Sequence, residues 1–190
     1  LKGLRDMDLL EERFLTHPAL SIEQSRQVIN SMARCVVKNV TDALSLVDKY
    51  TKDGFAEVQK EEELVDRYED KLGTYLVQIT RLELTKQQNI MVGNYLHSIT
   101  DFERMSDHAL NIAECAQEMR DKKLNFSKYA THELSVLRSA VSEIVALAVK
   151  AFVEDDLSVA YRIEPLEEKI DSLCDEMKLH HINRISDGTC

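Results

Sequence analysis

Apolar residues recur along this chain at three- and four-residue spacings over long stretches, with polar residues on the other faces, which is the pattern of amphipathic helices. Val28, Met32, Val36, Val40, Ala43, Leu44 and Val47 keep helical period after Pro18 and up to a break at Asp53-Gly54, with Ser21 and Gln24 at capping-box spacing near the start. A second helix is predicted from about Phe55 to Leu82, with Val58, Val65, Leu72, Leu76 and Ile79 on one face. Thr85 and Gln88 repeat the capping-box spacing and open a third helix from Lys86 to about Arg120, which ends before the Asn-Phe-Ser turn at 125–127. The fourth runs from about Ser127 to Glu154 on Leu137, Val141, Ile144, Val145, Ala148 and Phe152. A fifth reaches to about Ser186. Pro165 lies inside it and cannot donate to the carbonyl four residues back, which predicts a kink or a restart, and Gly188 is placed to cap the end. Residues 1–17 mix charge and leucine without caps and read as a lead-in with at most a short helix.

Shifted by 105 residues, the chain overlays on itself without a gap. Val36, Val40 and Ala43 meet Val141, Val145 and Ala148, and the acids Glu62, Glu63, Asp66 and Asp70 meet Glu167, Glu168, Asp171 and Asp175. Thr85, the cap of the third helix, corresponds to Cys190. The organisation predicted is a lead-in or linker at 1–17, a three-helix repeat at 18–124, and a second repeat of two helices at 125–190, lacking its last. Helices four and five then present an apolar face without a third partner, which predicts a dimer or a mobile C-terminal part.

With 5 Gly and 2 Pro in 190 residues, the composition is that of an all-α protein. Acids outnumber bases by 34 to 24, so a nucleic-acid backbone or an anionic membrane surface would be repelled, and cations are favoured. Cys35, Cys115, Cys174 and Cys190 have neither disulfide-framework nor zinc-finger spacing, which fits a reducing cytosol. No stretch approaches the roughly 20 apolar residues that span a bilayer, and no signal segment opens the chain. A Gly-rich phosphate loop, a G-x-S-x-G elbow and a nucleophile beside a base are all missing, so an enzyme is not expected.

The candidate chemistry lies in acidic pairs. Residues four apart on a helix project from nearly the same side, so Glu103 and Asp107 stand about 6 Å apart at Cβ, and Glu114 falls within about 40° of them at 100° per residue. Glu62 and Asp66 repeat this geometry on the second helix, and Glu167 and Asp171 on the fifth. If helices two and three pack side by side, four carboxylates converge at the seam and their repulsion calls for a cation. Hard oxygen ligands suit Mg, Ca or Mn, and carboxylate clusters also hold iron. The competing reading is a solvated acidic face, with Arg104 neutralising a neighbour. His108 alone reads as a hydrogen-bonded helix residue, His180-His181 as a solvated pair, and Met32, Met105, Met119 and Met177 as core. Asn111 is a poor former for a helix interior, which suggests a hydrogen bond to a neighbouring helix.

The string ERMSDHALNIAE at 103–114, the acid pair in EELVD at 62–66 and the repeated three-helix plan resemble the PhoU family, over roughly Ser21 to Cys190. The resemblance implies two three-helix bundles in tandem, negative regulation of phosphate uptake, and E(D)-x-x-x-D motifs that bind metal ions, with Fe, Mn, Zn, Mg and Ca all open. By position those motifs fall on Glu62 and Asp66, Glu103 and Asp107, and Glu167 and Asp171, with Arg104, His108, Asn111 and Glu114 beside the ligands or contacting a neighbouring helix. The fourth motif would fall beyond residue 190. The lead-in LLEERFLTHPALSIEQSRQ and the segment EPLEEKID are similar to the C-terminal PhoU-like domain of bacterial Na⁺/phosphate cotransporter family proteins. That implies a cytoplasmic regulatory domain attached to the inner membrane through upstream transmembrane helices, with the transporter's membrane part or a phosphate-signalling protein as partner. The alternatives are a free-standing PhoU-type regulator acting by protein contact, and a purely structural helical bundle.

Overall fold

A computed structural model describes residues 2–189, with side chains from Arg5 onward, and all regular structure among them is helical. Cys190, which the repeat pairs with Thr85, lies outside the described residues. The chain divides into two compact units, Leu1–Ala116 and Gln117–Cys190.

The first unit is built on three long helices, α2 (Pro18–Asp48), α3 (Lys52–Ile79) and α4 (Lys86–Asp121), the last continuing past Ala116. Ahead of them lie α1 (Lys2–Met7) and a 3₁₀ turn, Glu12–Thr16. The apolar stripes meet in one core, where Val28, Ile29, Met32 and Val36 of α2, Val58, Val65, Leu72 and Leu76 of α3, and Ala109 and Ala113 of α4 are fully buried. Each large aliphatic side chain so buried is worth about 1.5–3 kcal/mol. The segment before α2 packs on this core: Met7 and Leu10 are buried, and the Tyr75 hydroxyl donates to the Glu11 carbonyl at 3.1 Å. Cys35 is half-buried, and burial first, then the nearby Glu61 and Asp6, push its thiol up to about 11, so it is an inert packing residue.

Several local signals settle where helices begin and end. Thr85 and Gln88 form the reciprocal capping box, Thr85 N donating to Gln88 Oε1 at 2.9 Å and Gln88 N to Thr85 Oγ1 at 3.2 Å. Ser21 and Gln24 do not, because Pro18 with its fixed φ already starts α2 one turn earlier; Ser21 is buried and donates from Oγ to the Pro18 carbonyl at 3.0 Å. The break after the first helix falls at Lys49–Thr51, ahead of Asp53-Gly54, because the Thr51 side chain caps α3 by accepting from Gly54 N at 3.0 Å. α3 ends at Ile79, three residues before the expected Leu82.

The second unit consists of α5 (Lys128–Glu154), the single turn α6 (Leu157–Ala160) and α7 (Ile163–Ser186). The restart expected at Pro165 is realised: α7 opens at Ile163, so Pro165 sits in its first turn, where no intrahelical donor is required. Gly188, at φ +66°, closes α7, its N donating to the Ile185 carbonyl at 3.2 Å while Thr189 N reaches the Arg184 carbonyl at 2.9 Å. Asp156 caps α6, donated to by Ser158 N at 2.9 Å, and stands 105 residues after Thr51, the cap of α3. Glu133 near the start of α5 meets His180 and Arg184 near the end of α7, so the two helices run antiparallel. Among the described apolar residues of this unit only Val149 and Val159 are buried; the rest of both stripes is half-buried or exposed.

Candidate metal centre

Glu62 and Asp66 lie one turn apart on α3, and Glu103 and Asp107 one turn apart on α4. On the capped, uninterrupted α4, Phe102, Ser106, Ala109 and Ala113 are all buried, so its acids emerge at the edge of the core. Carboxylate oxygens of Glu62, Asp66 and Asp107 all lie within 4.8 Å of one another; Glu62 is half-buried, and both aspartates are exposed. Two unit charges at about 4 Å repel by about 1 kcal/mol in bulk water and about 4 kcal/mol near a protein surface.

That repulsion is written in the acidities. The Glu62 carboxyl is raised by burial, then by the charges of Asp66 and Asp107. Asp66 is raised by burial, then by Asp107 and Asp70. Glu103 is raised by burial, then by Asp107, Asp66 and Glu69, so it stands beside the trio as a fourth carboxylate. Among the described residues, no ion pair ties any of these four acids to a basic side chain. Arg104 is exposed and does not neutralise them. Three hard oxygen donors at one point, uncompensated by any cation of the chain, fit a divalent or trivalent metal ion.

The contrast lies on the same helix. Glu57 and Glu61 of α3 are held by Lys38 of α2, whose ammonium donates to Glu57 at 3.3 Å, to Glu61 at 3.0 Å and to Asp42 at 3.0 Å. Burial works against the charged amine, but the bonds to Glu61 and Asp42 outweigh it and raise its pKa. An acidic pair can therefore be satisfied from within the bundle, and Glu62 with Asp66 is not.

The remaining expected residues distribute unevenly. His108, Asn111 and Glu114 are exposed on α4, so Asn111 is not a buried contact between helices. That contact belongs to Asn39 of α2, which donates from Nδ2 to Ser106 Oγ of α4 at 2.8 Å, both residues fully buried. The signal was available, since Asn39 interrupts the stripe Val36, Val40, Ala43 and Ser106 that of Phe102, Ala109, Ala113. Glu167 and Asp171 are exposed on α7, and among the described residues no further acid joins them in a cluster. His180 is not a free surface residue: its Nδ1 lies 2.7 Å from Glu133.

Residues 29–116 match the PhoU domain family, a segment that runs from the fourth turn of α2 through the whole acidic seam. The chain is distantly similar to the phosphate-specific transport system accessory protein PhoU homolog 1 of Thermotoga maritima, 24% identical over 161 residues, 84% of this chain and 68% of that protein. It is also similar to the phosphate-specific transport system accessory protein PhoU homolog of Clostridium acetobutylicum, 20% identical over 156 residues, 80% of this chain and 69% of that protein. No solved structure matches the chain. Both relatives are described as accessory proteins of a transport system, in keeping with the expectation of a non-catalytic chain. No helix among the described residues is long and apolar enough to cross a membrane.

Proposed function

We propose that this chain is a PhoU-type accessory regulator of phosphate transport that acts by protein contact, with a metal ion held by Glu62, Asp66 and Asp107 and flanked by Glu103. The observation that carries the reading is a coincidence of position: the uncompensated carboxylate trio lies inside the segment that matches the PhoU domain. The descriptions of the relatives supply the process, phosphate-specific transport, and the role of accessory protein. A metal at the seam neutralises both helices and fixes their spacing, which gives a partner a rigid surface on α3 and α4. In the second unit, Glu167 and Asp171 are the counterpart of Glu62 and Asp66 on the 105-residue register, and a metal there requires acids from a further helix.

The test has two arms. Purified protein equilibrated with Fe, Mn, Zn, Mg or Ca and then dialysed retains one of them stoichiometrically, and Glu62→Gln with Asp107→Asn abolishes retention. Expressed in a bacterium deleted for its own PhoU, the chain lowers phosphate uptake, and a folded, abundant chain that leaves uptake unchanged would sink the regulatory role.

The cotransporter context is a narrower second reading, favoured only by the lead-in at 9–27, whereas the relatives are named as accessory proteins. The reading frame upstream of Leu1 decides it: transmembrane helices there support attachment, and a start codon at that point removes it.

A further inference from the structure

Between the lead-in and α3, within the first unit, lies a cavity of about 850 Å³, a size usual for small-molecule sites. Two bonds set the alignment of its walls. Asp6 hydrogen-bonds the Tyr68 hydroxyl, and the Tyr75 hydroxyl donates to the Glu11 carbonyl at 3.1 Å, so the lead-in runs alongside α3 in the same direction. Arg5 therefore stands at the end of the cavity that holds Arg67 and Lys71, and Glu12 at the end that holds Gln78. At 100° and 1.5 Å per residue, Arg67, Lys71, Thr74 and Gln78 fall within about 60° of one another, in a row of hydrogen-bond donors about 17 Å long. Asp70, the acid that α3 adds to the lining, sits off that row on the side of Asp66, whose carboxyl its charge helps to raise. Met7, Leu10 and the Tyr75 ring, all buried, supply an apolar floor. Among the described residues Arg5, Arg67 and Lys71 form no ion pair, although Asp8, Glu12 and Asp70 line the same cavity.

We propose that this cavity binds a small phosphate monoester, with its phosphoryl group on Arg5, Arg67 and Lys71 and its apolar body over Met7 and Leu10. Two guanidinium groups offer forked donors that match phosphoryl oxygens, and the ammonium adds a third positive charge. A dianion uses all three, whereas a carboxylate carries one charge and two oxygens. The apolar floor favours an ester over free phosphate, which has nothing to lay on it. Arg5 belongs to the lead-in and the other two cations to α3, so the ligand bridges them and fastens the lead-in to the bundle. The cavity shares no residue with the acidic seam of Glu62, Asp66, Glu103 and Asp107, so the two sites can be tested apart.

The experiment is isothermal titration calorimetry of the full chain, stripped of metal and dialysed free of chelator so that no anion binds through a metal at the acidic seam. The probes are phenyl phosphate, inorganic phosphate and benzoate, at about 0.05 M NaCl and about pH 8, above the second pKa of a phosphate monoester near about 6. Phenyl phosphate should bind with a Kd below about 1 mM, about tenfold tighter than inorganic phosphate, which lacks the ring, or benzoate, which lacks the second charge. Arg67→Gln with Lys71→Gln, and separately Arg5→Gln, should each weaken it about tenfold or more. Lys52→Gln, at an exposed cation in the first turn of α3, should leave it unchanged. All four positions are exposed, so far-UV circular dichroism should not change. Saturating phenyl phosphate should also slow amide exchange at residues 8–12 in wild type and not in Arg5→Gln. Absence of binding overturns the proposal, as does equal affinity for inorganic phosphate or benzoate. So does binding that survives the loss of Arg67 and Lys71, or that ignores Arg5 and leaves exchange in the lead-in unaltered.

Discussion

Asn39 and Ser106 meet at 2.8 Å in the buried interface of α2 and α4, and that bond fixes the rotation of α4. Asp107 follows Ser106 directly and Glu103 precedes it by one turn, so the seating of one buried hydroxyl sets the direction in which both acids emerge. Ser106→Ala leaves the Asn39 amide buried without its acceptor and should cost about 1–3 kcal/mol in urea or thermal unfolding. The same variant should bind metal more weakly than wild type, although it touches no ligand. Unchanged affinity would show that α4 is oriented by its apolar stripe alone.

A metal that binds only the folded seam should stabilise the protein in proportion to its saturation. At about 100 times the dissociation constant the gain is about 2.7 kcal/mol, a Tm rise of about 5–10 °C for a chain of this length. Asp107→Asn should abolish the rise because Asp107 alone brings α4 into the trio, and Glu103→Gln should reduce it. Differential scanning calorimetry against each metal in turn distinguishes them.

Without metal, the pH dependence of this seam has a definite sign. Glu62, Asp66 and Glu103 have raised pKa values, so the folded state binds more protons than the unfolded one. Their contribution to stability is therefore lost as pH rises through the folded values and recovered on acidification towards their unfolded values of about 4. Metal-free Glu62→Gln, Asp66→Asn protein should melt above wild type at pH 7, by about 1–3 °C. The gap should close as the pH falls to about 4. A gap that widens on acidification would mean the acids are stabilised as anions.

The start of α3 offers a steric test. A Cβ on Gly54 would lie 2.7 Å from Thr51 Oγ1 and 2.8 Å from Leu46 Cδ2, so Gly54→Ala must displace the cap or a buried leucine. The expected loss is about 1–3 kcal/mol, against about 1 kcal/mol for Thr51→Ala, which removes the cap alone. Urea unfolding of both variants checks the order.

Most of the helical plan was legible because each element carries its own punctuation: Thr85 with Gln88, Ser127, Pro165 and Gly188 all act where their chemistry places them. The start of α2 falls at Pro18 as expected, whereas Ser21 and Gln24 only mimic a capping box, which Pro18 makes redundant. For the site, the four-residue spacing found all three acidic pairs, but spacing on single helices cannot tell which pairs meet across a neighbour. Glu62 and Asp66 are joined by Asp107 across α4, while Glu167 and Asp171 meet no further acid among the described residues. Lys38 escaped notice for the same reason, since its partners Glu57 and Glu61 sit on another helix.

The two edges of α3 have different dependencies. Towards α2, Glu57 and Glu61 are served by an ammonium tethered to the backbone, always present and indifferent to what the surrounding solution contains. Towards α4, among the described residues no ammonium meets Glu62 and Asp66, and on the proposed reading that service falls to a metal ion from the medium. One helix thus holds a permanent seam and a conditional one side by side, and depletion of metal should loosen α4 selectively while α2 stays docked, confining any response to the face where the acids are.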